Sequence, residues 1–129
     1  MPDSAAGTAY HAPVTNDCLF CRIVAGEIPA TIVRETDTTL AFRDIDPKAP
    51  VHVLVIPKVH YADVATLGQG DPELAGQVLA TAAEVAEAEG LLADGFRLMF
   101  NTGGYGGQEV FHVHAHLLGG APLGPMLAR

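Results

Sequence analysis

Three histidines alternate with apolar residues in Phe111-His112-Val113-His114-Ala115-His116-Leu117. In extended chain alternate side chains share a face, so a strand here carries three imidazoles on one side and four apolar groups on the other. Three imidazoles buried without partners would be costly, so that side is expected to line a wet or ligand-bearing surface while the apolar side meets a helix. Two chemistries suit the pattern. Imidazoles at i and i+2 can chelate a metal, or one imidazole can act as a nucleophile at phosphorus. Imidazole is largely unprotonated at pH 7, and a phosphoimidazole P–N bond is labile enough for water to cleave, while a second imidazole manages protons.

Other reactive groups are sparse. Cys18-x-x-Cys21 is a cytosolic dithiol or half of a metal site, because its loop is too short to staple a secreted fold. His52 stands in an otherwise apolar run, Val51 to Ile56. Asn101 to Gly107 is rich in glycine, which lets backbone N–H groups approach an oxyanion closely but equally suits a hairpin loop. The 129 residues carry 7 Lys+Arg against 15 Asp+Glu, a net charge of −8 that opposes duplex nucleic acid and anionic membranes. A small phosphorylated ligand stays possible, since neutral imidazoles and N–H groups can hold a phosphate. No apolar stretch reaches the roughly 20 residues of a membrane span, and no secretory signal is visible, so a cytoplasmic location is expected.

These groups need a scaffold, and 49% apolar residues suffice for one core. Residues 1–15, which include His11, read as a flexible arm, 16–129 as a single domain and 119–129 as its tail. Asn16 or Asp17 could cap a short helix through Val24 that Gly26 ends. Thr31 to Glu35 and Thr39 to Arg43 read as a hairpin, Asp44 to Pro50 as a loop, and Val51 to Ile56 as a strand buried on both faces. Tyr61 to Leu67 predicts a short helix. Asp71-Pro72 opens the main one, with Leu74, Val78, Ala82 and Val85 at helical spacing until Gly90. Phe96 to Phe100 and Phe111 to Leu118 supply two more strands. The expected class is α+β, an antiparallel sheet covered on one side by helix.

His112-Val113-His114-Ala115-His116-Leu117-Leu118 resembles the signature of the histidine triad (HIT) nucleotide-binding superfamily. Asp17 to Ile23, Gly26 to Ala30, Ala41 to Ile45, Val51 to Lys58 and Asn101 to Gln108 are similar in order and spacing to its Hint branch, over about residues 17–120. The resemblance implies five antiparallel strands with two main helices, a sheet continued across a homodimer, and hydrolysis of purine nucleoside phosphoramidates. It makes His114 the nucleophile at the α-phosphorus of an AMP-like ligand, with His116 and His52 orienting imidazole and phosphate. It gives Asp44 the ribose hydroxyls, Ile45 the purine, and Asn101, Gly107 and Gln108 the phosphate. Taken alone, Asp44 reads as a turn residue and Ile45 as core. Dinucleoside polyphosphate hydrolysis, or nucleotide binding with little turnover, are the alternatives; metal storage or redox work by the CxxC pair ranks last.

Two thiolates do not complete a tetrahedral zinc site, and His60 and His112 are the candidates to close it. Zinc-bearing members of the family resemble that set, so Cys18, Cys21, His60 and His112 are expected to hold a structural zinc, with no organic cofactor. Glu109 departs from the family pattern, standing where the Hint branch usually has a serine that contacts phosphate and leaving group. A carboxylate there repels an anionic phosphate unless it is protonated or turned away, or it serves as general acid for the departing amine. The chain also has no Trp, the residue some relatives place near the leaving group.

Overall fold

The computed structural model describes residues 17–127, so the expected arm and the Asn16 cap lie outside the described residues. Five strands form one antiparallel sheet in the order β1-β2-β3-β5-β4: β1 Ile32–Glu35, β2 Thr39–Arg43, β3 Val51–Pro57, β4 Phe96–Phe100 and β5 Ala115–Gly119. The helices are α1 Leu19–Val24, α2 Val64–Gly70, α3 Pro72–Ala88 and α4 Gly103–Gly106. No helix among the described residues is long and apolar enough to cross a membrane.

α3 starts where Asp71 accepts the Leu74 N–H at 3.0 Å and Pro72 fills the first turn. Its buried stripe, Leu74, Val78, Ala82, Val85 and Ala86, packs on Ala41, Val53, Val55, Ala115 and Leu117 of the sheet. The opposite sheet face carries Leu40, Phe42, Leu54 and Ile56, against which α1 lays Phe20. Alternation along β3 and β5 therefore sends His52, Leu54, His116 and Leu118 away from α3, and α1 covers only part of that face. The rest is open for a site.

Four local expectations need correction. Cys18 caps α1, its sulfur accepting the Cys21 N–H at 3.3 Å, whereas Asp17 does not. α2 begins three residues later than expected, because Asp63 and Thr66 form a reciprocal capping box with N–H bonds of 2.8 and 3.2 Å. Tyr61 instead is buried, and its carbonyl accepts the Val113 N–H at 2.7 Å. The glycine-rich stretch contains the short helix α4, closed by Gly107 at φ 80°. β5 starts at Ala115, opposite Phe100 at the end of β4 and Val55 of β3; the last two β3 residues, Ile56 and Pro57, pair with β2 alone, and Pro57 has no N–H to offer. Phe111 is consequently 55% exposed and leaves the apolar face.

Candidate functional site

A cavity of about 600 Å³ opens on the sheet face away from α3. Its floor includes Phe42, Leu54 and Leu118, and its polar wall is made by His52, His114 and His116. That size and mixture suit a small organic ligand. The triad is not uniformly wet, however. His114 is 8% exposed at the cavity wall, whereas His112 is fully buried and points elsewhere.

Hydrogen bonds assign the tautomers. A carbonyl only accepts, so the His114 Nδ1–H donates to His112 O at 2.8 Å, leaving the Nε2 lone pair unprotonated. Phe20 braces the same ring edge-on at 5.1 Å between centroids. The Lys48 N–H donates to His52 Nδ1 at 3.0 Å, so His52 Nε2–H donates to His116 Nδ1 at 2.9 Å. His116 then carries its proton on Nε2, with its ring centroid 4.9 Å from that of His114. Asp44 Oδ2 lies 3.5 Å from His52 Nε2, and Asp44 Oδ1 accepts the Asp46 N–H at 2.8 Å, which fixes the carboxylate at the cavity rim.

Burial holds these rings neutral. Desolvation lowers the pKa of His52 and His114, and pushes His116 and His112 down to about 4. A pH dependence of stability follows. The unfolded chain takes up protons on these rings near pH 6.5 while folded His116 resists until about 4, so this contribution is complete above pH 6.5 and lost as pH falls through 4. Denaturant unfolding at pH 7, 5.5 and 4 should show that decline, and a His116→Gln chain should show less of it.

Both cations on the cavity wall are engaged. Arg43 makes a fork with Glu89 at 3.1 and 3.0 Å, tying the end of β2 to the end of α3, and Lys48 Nζ meets Asp46 Oδ2 at 2.8 Å. Ile45, at 99% exposure, is not core but an apolar side chain at the mouth. Asn101, Gly107 and Glu109 also line the cavity. Gln108 does not: its Oε1 accepts the Gly103 N–H, its Nε2 donates to Ala62 O and Val110 O, and its own N–H donates to Gly103 O. It braces the α4 loop.

A second constellation lies behind the first. His112 Nε2–H donates to Pro57 O at 2.8 Å, which turns its Nδ1 lone pair toward Cys18 Sγ at 3.4 Å and Cys21 Sγ at 3.5 Å; His60 Nδ1 is 3.4 Å from Cys21 Sγ. Tetrahedral zinc with ordinary Zn–S and Zn–N bonds separates sulfur from nitrogen by about 3.6 Å, so the four donors fit the ion. Asp44, His52 and His116 also cluster. There the 2.9 Å between ring nitrogens is a hydrogen bond, shorter than the roughly 3.3 Å that two imidazoles take around tetrahedral zinc.

The alternation of histidines pointed to His114 and His116, but nothing in the motif named Lys48, whose backbone sets the His52 tautomer, or Phe20, which braces the His114 ring. The signal for Phe20 was its place between the two cysteines on one short helix.

The chain matches the HIT domain family over residues 25–123. It is 46% identical over 115 residues to the purine nucleoside phosphoramidase of Escherichia coli K12, covering 89% of this chain and 97% of that protein. A 14 kDa zinc-binding protein of Brassica juncea is 45% identical over 109 residues, covering 83% of this chain and 96% of its own. A HIT family hydrolase from Clostridium thermocellum superposes with a TM-score of 0.83 at 42% identity, covering 88% of this chain and 99% of the other.

Proposed function

The chain belongs to the HIT-domain family, Hint branch, and from that premise we propose that it is a nucleotide hydrolase cleaving purine nucleoside 5′-phosphoramidates in two steps. His114 Nε2 attacks the α-phosphorus, the P–N bond to the amine breaks, and the amine leaves with a proton. Water then cleaves the phosphorus–His114 bond and releases the nucleoside monophosphate. The observation that carries this reading is the His114 tautomer: its Nδ1–H is held by His112 O, so the nitrogen facing the cavity is the nucleophilic one. Imidazole needs no base to activate it while burial keeps it neutral.

The remaining residues take complementary tasks. Asp44, fixed by Asp46, receives the ribose hydroxyls, and exposed Ile45 covers the purine. The Lys48-to-His52-to-His116 chain of donors leaves the His116 Nε2–H to meet the phosphate or the departing nitrogen. Asn101 and Gly107 complete the phosphate subsite.

The charge on the wall favours phosphoramidates over dinucleoside polyphosphates. Among the described residues the cavity's two cations are already paired, so neutral donors must hold the phosphorus centre. They suit the single negative charge of a phosphoramidate better than a polyphosphate chain. Steady-state assays on an adenosine 5′-phosphoramidate and a dinucleoside polyphosphate test this: release of AMP from the first at a kcat/KM at least about tenfold higher is expected. Tight AMP binding without turnover of either would favour a binding module.

Glu109 touches both the cavity and a neighbouring hollow, and its charge raises the proton affinity of His114. In its protonated form it would act as general acid, giving its proton to the departing amine and returning to the carboxylate. Glu109→Ser should therefore slow substrates with strongly basic leaving amines by about 10²-fold and arylamine substrates by much less. An unchanged dependence of rate on amine basicity would reject the role.

Cys18, Cys21, His60 and His112 form the zinc site, which would supply rigidity to the segment leading into His114. The edge strand β4, with Phe96 and Met99 two-fifths exposed, continues the sheet into a second copy of this cytoplasmic enzyme. Sedimentation at micromolar concentration should show the dimer; a monomer would remove it.

A further inference from the structure

His112 belongs to two constellations at once. Its ring Nδ1 faces the sulfurs of Cys18 and Cys21, while its carbonyl accepts the Nδ1–H that fixes the His114 tautomer. Phe20, which lies between the two cysteines on α1, packs edge-on against both rings, with centroids 6.0 Å from His112 and 5.1 Å from His114. The state of the sulfurs thus reaches the nucleophile by two short routes.

The two thiols are unequal. Cys21 is fully buried, whereas Cys18 is partly exposed on the wall of a hollow of about 480 Å³ that also touches His60 and Glu109. Their ligand atoms lie within 4.8 Å of each other, and residues three apart at a helix start are within disulfide reach. A small oxidant can therefore enter at Cys18, and Cys21 is placed to resolve the product.

We propose that Cys18 and Cys21 are an oxidation site for a hydroperoxide, and that their disulfide loosens His112 and thereby His114. Cys18 sulfur attacks the peroxide, the O–O bond breaks, and the distal oxygen leaves after protonation as water from hydrogen peroxide, or as the alcohol from an organic hydroperoxide, giving a sulfenic acid on Cys18. Cys21 sulfur then displaces the hydroxyl from Cys18 sulfur, forming the S–S bond and a water. The peroxide is reduced by two electrons and the two thiols are oxidised by two. The pair no longer offers thiolate ligands, so a bound zinc is lost with the disulfide.

The kinetic consequence rests on the hydrolase reading above; the thiol, metal and ring-signal consequences do not. Zinc-loaded protein treated with hydrogen peroxide should lose one zinc per disulfide, read with a chromogenic chelator and by peptide mass after alkylation. The His114 ring signals in NMR should shift, and phosphoramidate turnover should fall about tenfold or more, as when a ligand's supporting shell is lost. Reductant with added zinc should restore both. Cys18→Ser should abolish disulfide formation, and Cys21→Ser should leave a sulfenic acid on Cys18 that a carbon nucleophile traps. A disulfide that forms with unchanged His114 signals and turnover would overturn the coupling. Thiols that survive peroxide under conditions oxidising free cysteine in solution would overturn the site. Should the reduced protein turn over no phosphoramidate, the hydrolase reading fails while the ring signals still decide the switch.

Discussion

His114→Ala is expected to lower phosphoramidate turnover by about 10⁴-fold or more, the scale on which loss of a covalent nucleophile is felt when binding survives. Neither neighbouring imidazole is placed to replace it. His116 Nδ1 already accepts from His52, which leaves its cavity nitrogen protonated, and His52 is itself locked between Lys48 and His116. AMP affinity should change little in comparison, because in the proposed binding mode Asp44 and Ile45 hold the other end of the ligand. Mass spectrometry of wild-type protein quenched during turnover should find a nucleotidyl group on the peptide spanning Phe111 to Leu118, and none in the variant. His116→Ala should instead slow the reaction by about 10²-fold and retain the adduct, since it removes proton management and not the attacking atom. Full activity in His114→Ala would end the covalent reading.

The site was legible to different depths for physical reasons. Alternation in Phe111 to Leu117 put three imidazoles in register, but residue type left two chemistries open, a metal site or attack at phosphorus, and only the resemblance to the HIT signature pointed to the second. Their division of labour did not follow from the alternation. His112 turns toward Cys18, Cys21 and His60 because the strand ladder begins only at Ala115, beyond the reach of a period-two pattern that assumed a strand from Phe111. The sheet was readable because Val51 to Pro57 is apolar on both faces and α3 carries a clear cap and stripe. The sheet order, with β5 between β3 and β4, depends on long-range pairing that no local pattern encodes. Ile45 shows the opposite limit: hydrophobicity alone argued for core, the family resemblance gave it a ligand contact, and the fold exposes its side chain at the cavity mouth.

Removing zinc should lower the melting temperature by about 10 °C. A ligand present at a hundredfold over its dissociation constant stabilises by about 2.7 kcal/mol, and a chain of this length shifts by roughly 3–5 °C per kcal/mol. Local structure points the same way. His112 is fully buried, its Nε2–H is committed to Pro57 O, and its Nδ1 lone pair faces the two sulfurs, with His60 beside them. Without an ion at the proposed site those buried donor and acceptor atoms would lack the charge that organises them, and α1 would lose a tie to His60 after β3 and to the segment before β5. Scanning calorimetry with and without a chelator measures the difference, and added zinc should reverse it. His60→Ala should already melt near the chelated temperature and respond little to chelator, because three donors hold zinc more weakly than four. Equal melting temperatures for wild-type protein with and without metal would show that the hydrophobic contacts of Phe20 with Phe42 and His114, and not the ion, hold α1 in place.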